Sequence, residues 1–206
     1  MELLYQFDVW LFRCVNEGFG QPYLDSVMLF VTDFKRSWVI AALAAGYLIV
    51  TRKRESVLPI VLSMLAVAIA DQTASGLLKP LVQRARPCFE LENVRLLLDQ
   101  TRSFSFASSH AANAAAVATV AWLFCANSGR VDRLFAFALI GFAFLSGYSR
   151  VYVGVHYPLD VLAGWGIGVA SGALVYLSVS FVWKNYLWSK KQLQAAGKPA
   201  SPHKQL

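Results

Sequence analysis

Apolar residues in this chain fall into long blocks, and polar residues gather at the block ends. Before the first block, Leu3, Leu4, Phe7, Trp10, Leu11, Cys14 and Val15 recur at i, i+3, i+4, i+7 and i+8, while Glu2, Gln6, Arg13 and Glu17 fall elsewhere. This pattern predicts an amphipathic helix lying on a membrane, ended by Gly18, Gly20 and Pro22. A short apolar run at 27–31 precedes Asp33, Lys35 and Arg36. Five blocks then read as spans, at 37–51, 56–78, 107–127, 134–149 and 161–183. About 20 residues rising ~1.5 Å each cross a hydrocarbon core of ~30 Å, so the first block is short and is expected to borrow the turn around Lys35 by snorkelling. The fold class expected is all-α: a polytopic integral membrane helical bundle of about five transmembrane helices plus the N-terminal interfacial helix. The domain reading is one membrane-embedded domain over 1–188 and a polar, disordered tail over 189–206.

Composition removes the alternatives. Of 206 residues, 57% are hydrophobic and 15% charged, against roughly 25% charged in soluble domains. A soluble globule, a disordered chain and a disulfide scaffold are all excluded. The start lacks a basic n-region and a small-residue cleavage site, so no cleavable signal peptide is expected. The net charge of +7 does not imply nucleic acid, because most Lys and Arg flank apolar blocks instead of sharing one solvated face. Cys14, Cys88 and Cys125 lack CxxC or metal spacing and read as inert thiols, with a Cys14–Cys88 bridge left open. With Arg52, Lys53 and Arg54 cytoplasmic, and with Lys79, Arg86 and Arg150 set aside for another use, ten basic residues lie inside and six outside. The long connection 80–106 and the N-terminal helix then face outward, and Trp38, Trp183 and Trp188 suit interfacial belts.

Alternation of the spans carries the chemistry. It puts Lys79, Arg86, Ser108, Ser109, His110, Arg150, His156 and Asp160 at one membrane depth, all at outer span ends. Such groups are costly near hydrocarbon unless they pair or bind something. Three cations beside a helix N-terminus make an anion site, and phosphate is the natural occupant. Pro158 suits a first helical position, which lets Asp160 reach back to one imidazole nitrogen of His156 and leaves the other free to attack. His110 is then placed to protonate a departing oxygen and to activate water in a two-step covalent route without metal.

The strings Lys79-x6-Arg86-Pro87, Ser108-Ser109-His110 and Ser149-Arg150-x5-His156-x3-Asp160 resemble the three signature motifs of the type 2 phosphatidic acid phosphatase superfamily. The resemblance covers roughly 23–183. It implies His156 as nucleophile oriented by Asp160, His110 as general acid, and Lys79, Arg86, Ser108 and Arg150 as phosphate ligands. The chain departs from the family's Pro-Ser-Gly-His in having Ala107 and Ser109. Ser108 is expected to replace the proline's helix start as an N-cap, and Ser109 either joins the phosphate contacts or reshapes the pocket.

Other features have plainer readings. Asp71 reads as structural support, and Gly164, Gly166, Gly168, Ala170 and Gly172 as close-packing positions. Arg84, Arg95 and Arg102 read as solvated loop charges, and Leu96-Leu97-Leu98 as a lid dipping into the interface. A metal at the two histidines and Asp160 is disfavoured because the three cations repel a dication. No cofactor and no nucleic-acid partner are expected.

The function expected is a phosphatase for a lipid phosphate or diphosphate on the outer face of a bacterial inner membrane, among membrane lipids, with the lipid chains entering sideways. Undecaprenyl diphosphate, phosphatidylglycerol phosphate, phosphatidate and lipid A 1-phosphate are the candidate substrates that the resemblance implies. The rivals are a lipid phosphotransferase and a non-catalytic lipid-phosphate binder or transporter.

Overall fold

A computed structural model of the chain describes residues 2–196, and within these the side chains of 34–37 and 187–196 are not described. Helices α1 (Glu2–Asn16), α2 (Pro22–Thr32), α3 (Phe34–Arg52) and α4 (Val57–Asp71) come first. The short α5 (Lys79–Val82) and α6 (Pro87–Glu90) lead into the long connection, which is followed by α7 (Ser109–Cys125), α8 (Arg130–Tyr152) and α9 (Pro158–Ala196). The described residues contain no strand, as the all-α reading expects.

Three stretches are long and apolar enough to cross a membrane, at 38–90, Arg130–Tyr152 and Pro158–Tyr186. The first holds both α3 and α4, which a 3-10 turn at Lys53–Ser56 separates, with Lys53 at φ 50°. Helix α7 is apolar but has only 17 residues, about 26 Å of rise, so it falls short of a full span. It starts where the polar residues gather. Helix α3 begins at Phe34, three residues before the first apolar block. At the other end α9 runs to Ala196, past Trp183 and into the segment read as disordered tail. Gln192, Leu193, Gln194, Ala195 and Ala196 are good helix formers. Residues 197–206, with His203, and the side chains of Lys35, Arg36 and Trp188 lie outside the described residues.

Helix α7 is the hub, packed against α4, α8 and α9. Gly164, Gly168 and Gly172 lie on one stripe of α9, and a Cβ at Gly168 would sit 2.2 Å from the Ala112 carbonyl oxygen. That stripe lets the two backbones touch. Gly166 has nothing within 4 Å and Ala170 is exposed, so only part of the small-residue set packs. Helix α3 joins the bundle at its C-terminal end, where Tyr47 and Arg52 both bond the Asp132 carboxylate at 2.7 and 2.8 Å. Its N-terminal half instead flanks a cavity.

Helix α1 has two faces. Leu3, Leu4, Phe7 and Trp10 are exposed, while Asp8, Phe12 and Asn16, one turn apart, are fully buried against the bundle. Only the first half of the predicted stripe therefore faces outward; Leu11, Cys14 and Val15 are half-buried, with Val15 packed on the core, and the line that meets the protein carries two polar residues.

Candidate active site

Two breaks in regular helix aim the first motif. Residues Gln72–Leu78 form a π-helical segment after α4, and its wider turn rotates the chain beyond it. Ser75 and Lys79 thereby meet α7: Lys79 Nζ donates to Ser109 Oγ at 2.9 Å and lies 3.4 Å from Ser75 Oγ, and the two serine hydroxyls are 2.7 Å apart. The extra hydroxyl at Ser109 thus holds the lysine. Gln83, with φ 52°, then turns the chain so that Arg86 points inward.

Helices α8 and α9 are joined by a tight loop at 153–157. Gly154 takes φ 89°, and a Cβ there would lie 2.9 Å from the Arg95 carbonyl oxygen, so the turn requires glycine. Helix α9 begins at Pro158 as predicted. One turn in, Asp160 Oδ2 accepts the Tyr157 N–H at 2.9 Å and faces His156 Nδ1 at 3.4 Å. Arg86 Nη1 donates to His156 Nε2 at 3.1 Å. These partners select the tautomer with the proton on Nδ1 and a lone pair on Nε2. Burial holds the imidazole well below its ordinary range, and Arg86, Arg150 and Lys79 push the same way. Both effects favour the neutral imidazole.

Donor counting separates the two arginines. Arg86 gives Nε and Nη2 to Ser103, at 2.9 and 3.0 Å, and Nη1 also to the Val155 carbonyl at 2.9 Å. Most of its five N–H groups are committed to the protein. Arg150 bonds Thr32 Oγ1 through Nη1, while its buried Nε has no partner. The open fork for an oxyanion is Arg150, not both arginines equally. Ser108 occupies the N-cap position of α7, yet its buried hydroxyl caps nothing and has no partner. The N-cap expectation holds for the backbone only. Buried groups left unpaired are costly, and two of them on residues that flank the motif histidines fit an anion-binding role.

His110 is the second residue of α7 and lies within electrostatic reach of Arg150, His156, Lys79 and Arg86. The Ser108 N–H donates to the Asp160 carbonyl at 3.0 Å, which ties the second motif to the third. All eight residues picked from the sequence therefore come together at one end of the bundle.

The profile of the PAP2 superfamily matches residues 56–184. The chain belongs to the PAP2 superfamily. Within it, the chain is 27% identical to the lipid A 4'-phosphatase of Porphyromonas gingivalis, over 98% of this chain and 82% of that one. It is 32% identical to the phosphatidylglycerophosphatase B of Bacillus subtilis over 72% of each chain. Among solved structures, Aquifex aeolicus LpxE superimposes with a TM-score of 0.66 at 30% identity, covering 82% of this chain and 93% of that one. The PAP2 membership carries the phosphatase class and the membrane setting that the three motifs implied.

Several partners of this PAP2 site were not anticipated. Arg84, read as a solvated loop charge, bridges Asp8 Oδ2 at 2.7 Å and Asp160 Oδ1 at 2.8 Å. Arg95 is likewise engaged, with both terminal nitrogens on Asp25 Oδ1 at 2.8 and 2.9 Å. Asn16 takes the Arg95 backbone N–H at 2.9 Å. The segment read as a lid is thus pinned to α1 and α2, with Leu97 and Leu98 packed on Tyr152, Val153 and Val155. Thr32 and Ser75 were also missed. The one local signal was in α1, where Asp8 and Asn16 stand eight residues apart on the buried line of a helix whose other side exposes apolar residues.

Proposed function

We propose that this PAP2 protein hydrolyses a phosphate monoester or diphosphate carried by a membrane lipid, through a phosphohistidine at His156. The observation that carries this reading is the conjunction at one end of the bundle of an imidazole whose Nε2 accepts from Arg86, an Arg150 guanidinium with an unpartnered Nε and an unpartnered Ser108 hydroxyl. Nε2 attacks phosphorus while the bond to the lipid oxygen breaks, and His110 gives that oxygen its proton. Asp160 stabilises the imidazole that has become cationic. Water then attacks the phosphohistidine, His110 takes its proton, the P–N bond breaks and phosphate leaves. Arg150, Lys79, Arg86 and Ser108 hold the phosphoryl oxygens and offset the charge that builds in the transition state. Ser109, placed among the phosphate ligands by the sequence, acts by fixing Lys79. Arg86 shields Nε2 until substrate displaces it.

A lipid is favoured over a soluble phosphoester by a cavity of about 340 Å³ that reaches Ser109 and His110 and continues between Ala41, Ala44, Val67, Val117 and Phe142. An apolar chain lies there while its head group meets the cations. The asymmetry of basic residues supports an inner-membrane protein with the pocket facing the periplasm. The substrate is drawn from the chemistry named for relatives: the 4'-phosphate of lipid A, undecaprenyl diphosphate and phosphatidylglycerol phosphate.

The test is phosphate release by purified protein against a panel of these lipids, with His156→Ala as control. Release in proportion to lipid consumed, lost in the variant, is the expected result. Full turnover by His156→Ala overturns the mechanism. Lipid consumed without free phosphate identifies a phosphotransferase, and binding without cleavage a binder.

A further inference from the structure

We propose that Asp8 on α1 and Arg84 are positioning residues for the His156–Asp160 pair, so that the surface helix α1 is a working part of the active site. The proposal rests on the reading of His156 as nucleophile. It starts from an ion chain that neither the motifs nor the phosphate pocket requires.

Asp8 is fully buried although it sits on a helix whose other side is exposed. Its Oδ1 accepts the Leu159 N–H at 2.9 Å, in the first turn of α9 and next to Asp160 in sequence. Its Oδ2 accepts from Arg84 Nη2 at 2.7 Å, and Arg84 Nη1 continues to Asp160 Oδ1 at 2.8 Å. The guanidinium carbon lies 3.8 Å over the centre of the Tyr157 ring, which fixes its plane. Asp160 is therefore held at both oxygens, by Arg84 on Oδ1 and by the Tyr157 N–H on Oδ2, and only the Oδ2 edge is left to face His156.

The charge count explains why the chain needs its far end. A guanidinium bonded to Asp160 alone would draw that carboxylate's charge away from the imidazole. Asp8 takes a share of the same guanidinium, so Asp160 stays anionic toward Nδ1. Without Arg84, two buried carboxylates would stand without their common cation, and Asp160 would lose the bond that holds its Oδ1 in place. The remaining charged and titratable groups around His156 are Arg86, Arg150, Lys79 and His110. The Asp8–Arg84 pair differs from them in reaching His156 through Asp160.

The experiment compares Asp8→Asn, Arg84→Gln and the double variant in detergent. Asp8→Asn keeps an acceptor for the Leu159 N–H and so preserves the start of α9. Each single variant is expected to lose roughly tenfold or more in kcat with KM changed by less than about twofold. The acid limb of the pH profile moves to lower pH in Asp8→Asn, which removes an anion, and to higher pH in Arg84→Gln, which removes a cation. In the double variant the limb returns toward the wild-type position. Arg84→Lys keeps the charge without the two-pronged reach and recovers only part of kcat.

A titration of ¹⁵N-histidine-labelled protein by NMR reads the same opposed shifts at His156 without substrate. If no lipid phosphate is cleaved by wild type, the functional reading fails while the NMR titration still decides this one. Wild-type kcat in both single variants, or acid limbs and His156 titrations that move the same way or not at all, overturns the proposal. A purely structural role would lower the melting temperature and leave the limb of the folded fraction unmoved.

Discussion

Gly164→Ala is a small change with a large expected effect. A Cβ at Gly164 would lie 2.4 Å from the Ser108 carbonyl oxygen and 3.0 Å from Ala111 Cβ, whereas ordinary contact starts at 3.4 Å. The oxygen belongs to the backbone, so side-chain repacking gives no relief, and α7 and α9 must part locally by about 1 Å. The bond from the Ser108 N–H to the Asp160 carbonyl, 3.0 Å long, lies next to that contact. Helix α7 carries Ser108 and His110, and α9 carries Asp160 with His156 just before it. Widening their contact misplaces the proposed general acid against the nucleophile, and about 1 Å of misplacement costs on the order of 100-fold in rate. Overpacking of this kind costs roughly 1–3 kcal/mol in stability. Phosphate release at saturating lipid, together with thermal unfolding in detergent, separates the two effects. Gly166→Ala, two residues on and with nothing within 4 Å, is the matched control and should keep kcat within about twofold. Wild-type kcat in folded Gly164→Ala would refute the dependence of catalysis on this helix contact.

Three further outcomes are expected of the site. Thr32→Val removes the hydroxyl that accepts from Arg150, a buried charge-assisted bond worth about 1.5–3 kcal/mol, so kcat/KM should fall at least tenfold with little change in fold; an unchanged kcat/KM would remove Arg150 from the phosphate clamp. For pH, protonation of His156 adds a charge to a buried site already facing three cations, so the acid limb of kcat/KM lies below the ordinary imidazole pKa of ~6.5. A bound phosphate offsets those cations, which puts the acid limb of kcat at higher pH than that of kcat/KM, and the opposite order would contradict the pocket's electrostatics. The same depressed pKa makes the unfolded chain bind more protons below pH ~6.5, so this group's contribution to stability declines as pH falls through that range. Activity should persist without added divalent metal and survive chelation, because Asp160 is committed to Arg84 and the Tyr157 N–H and the cations supply the positive charge. Loss on chelation with rescue by a specific ion would contradict this.

The residues proposed to touch phosphate were legible in the sequence because membrane topology sorts span ends by side, and three short strings at outer ends then suffice. Their supports were not. Asp8 lies 76 residues from Arg84, and Thr32 lies 118 residues from Arg150, so no local pattern joins either pair. Arg84 resembles any loop charge until α1 is seen to cover it. Periodicity found α1 but read its exposed stripe, and the buried line at Asp8, Phe12 and Asn16 looks like an interruption of that stripe. Of the small residues of α9 assigned to packing, only the i, i+4 series Gly164, Gly168 and Gly172 faces α7, while Gly166 and Ala170 do not pack. A count of apolar blocks does not register that α7 stops short of a full span, nor that the π segment after Asp71 turns Ser75 and Lys79 onto Ser109. The departure from the family's glycine at Ser109 is explained only by that turn.

Whether distant helix ends form one phosphate pocket acting through His156 is decided by an experimental structure with bound vanadate. Vanadium should be bonded to His156 Nε2, with Arg86 displaced from that atom. Arg150, Lys79 and Ser108 should surround the oxygens, and His110 should stand on the leaving-group side. Vanadate bound away from these residues, or the imidazoles of His110 and His156 at opposite ends of the bundle, would contradict the proposed pocket.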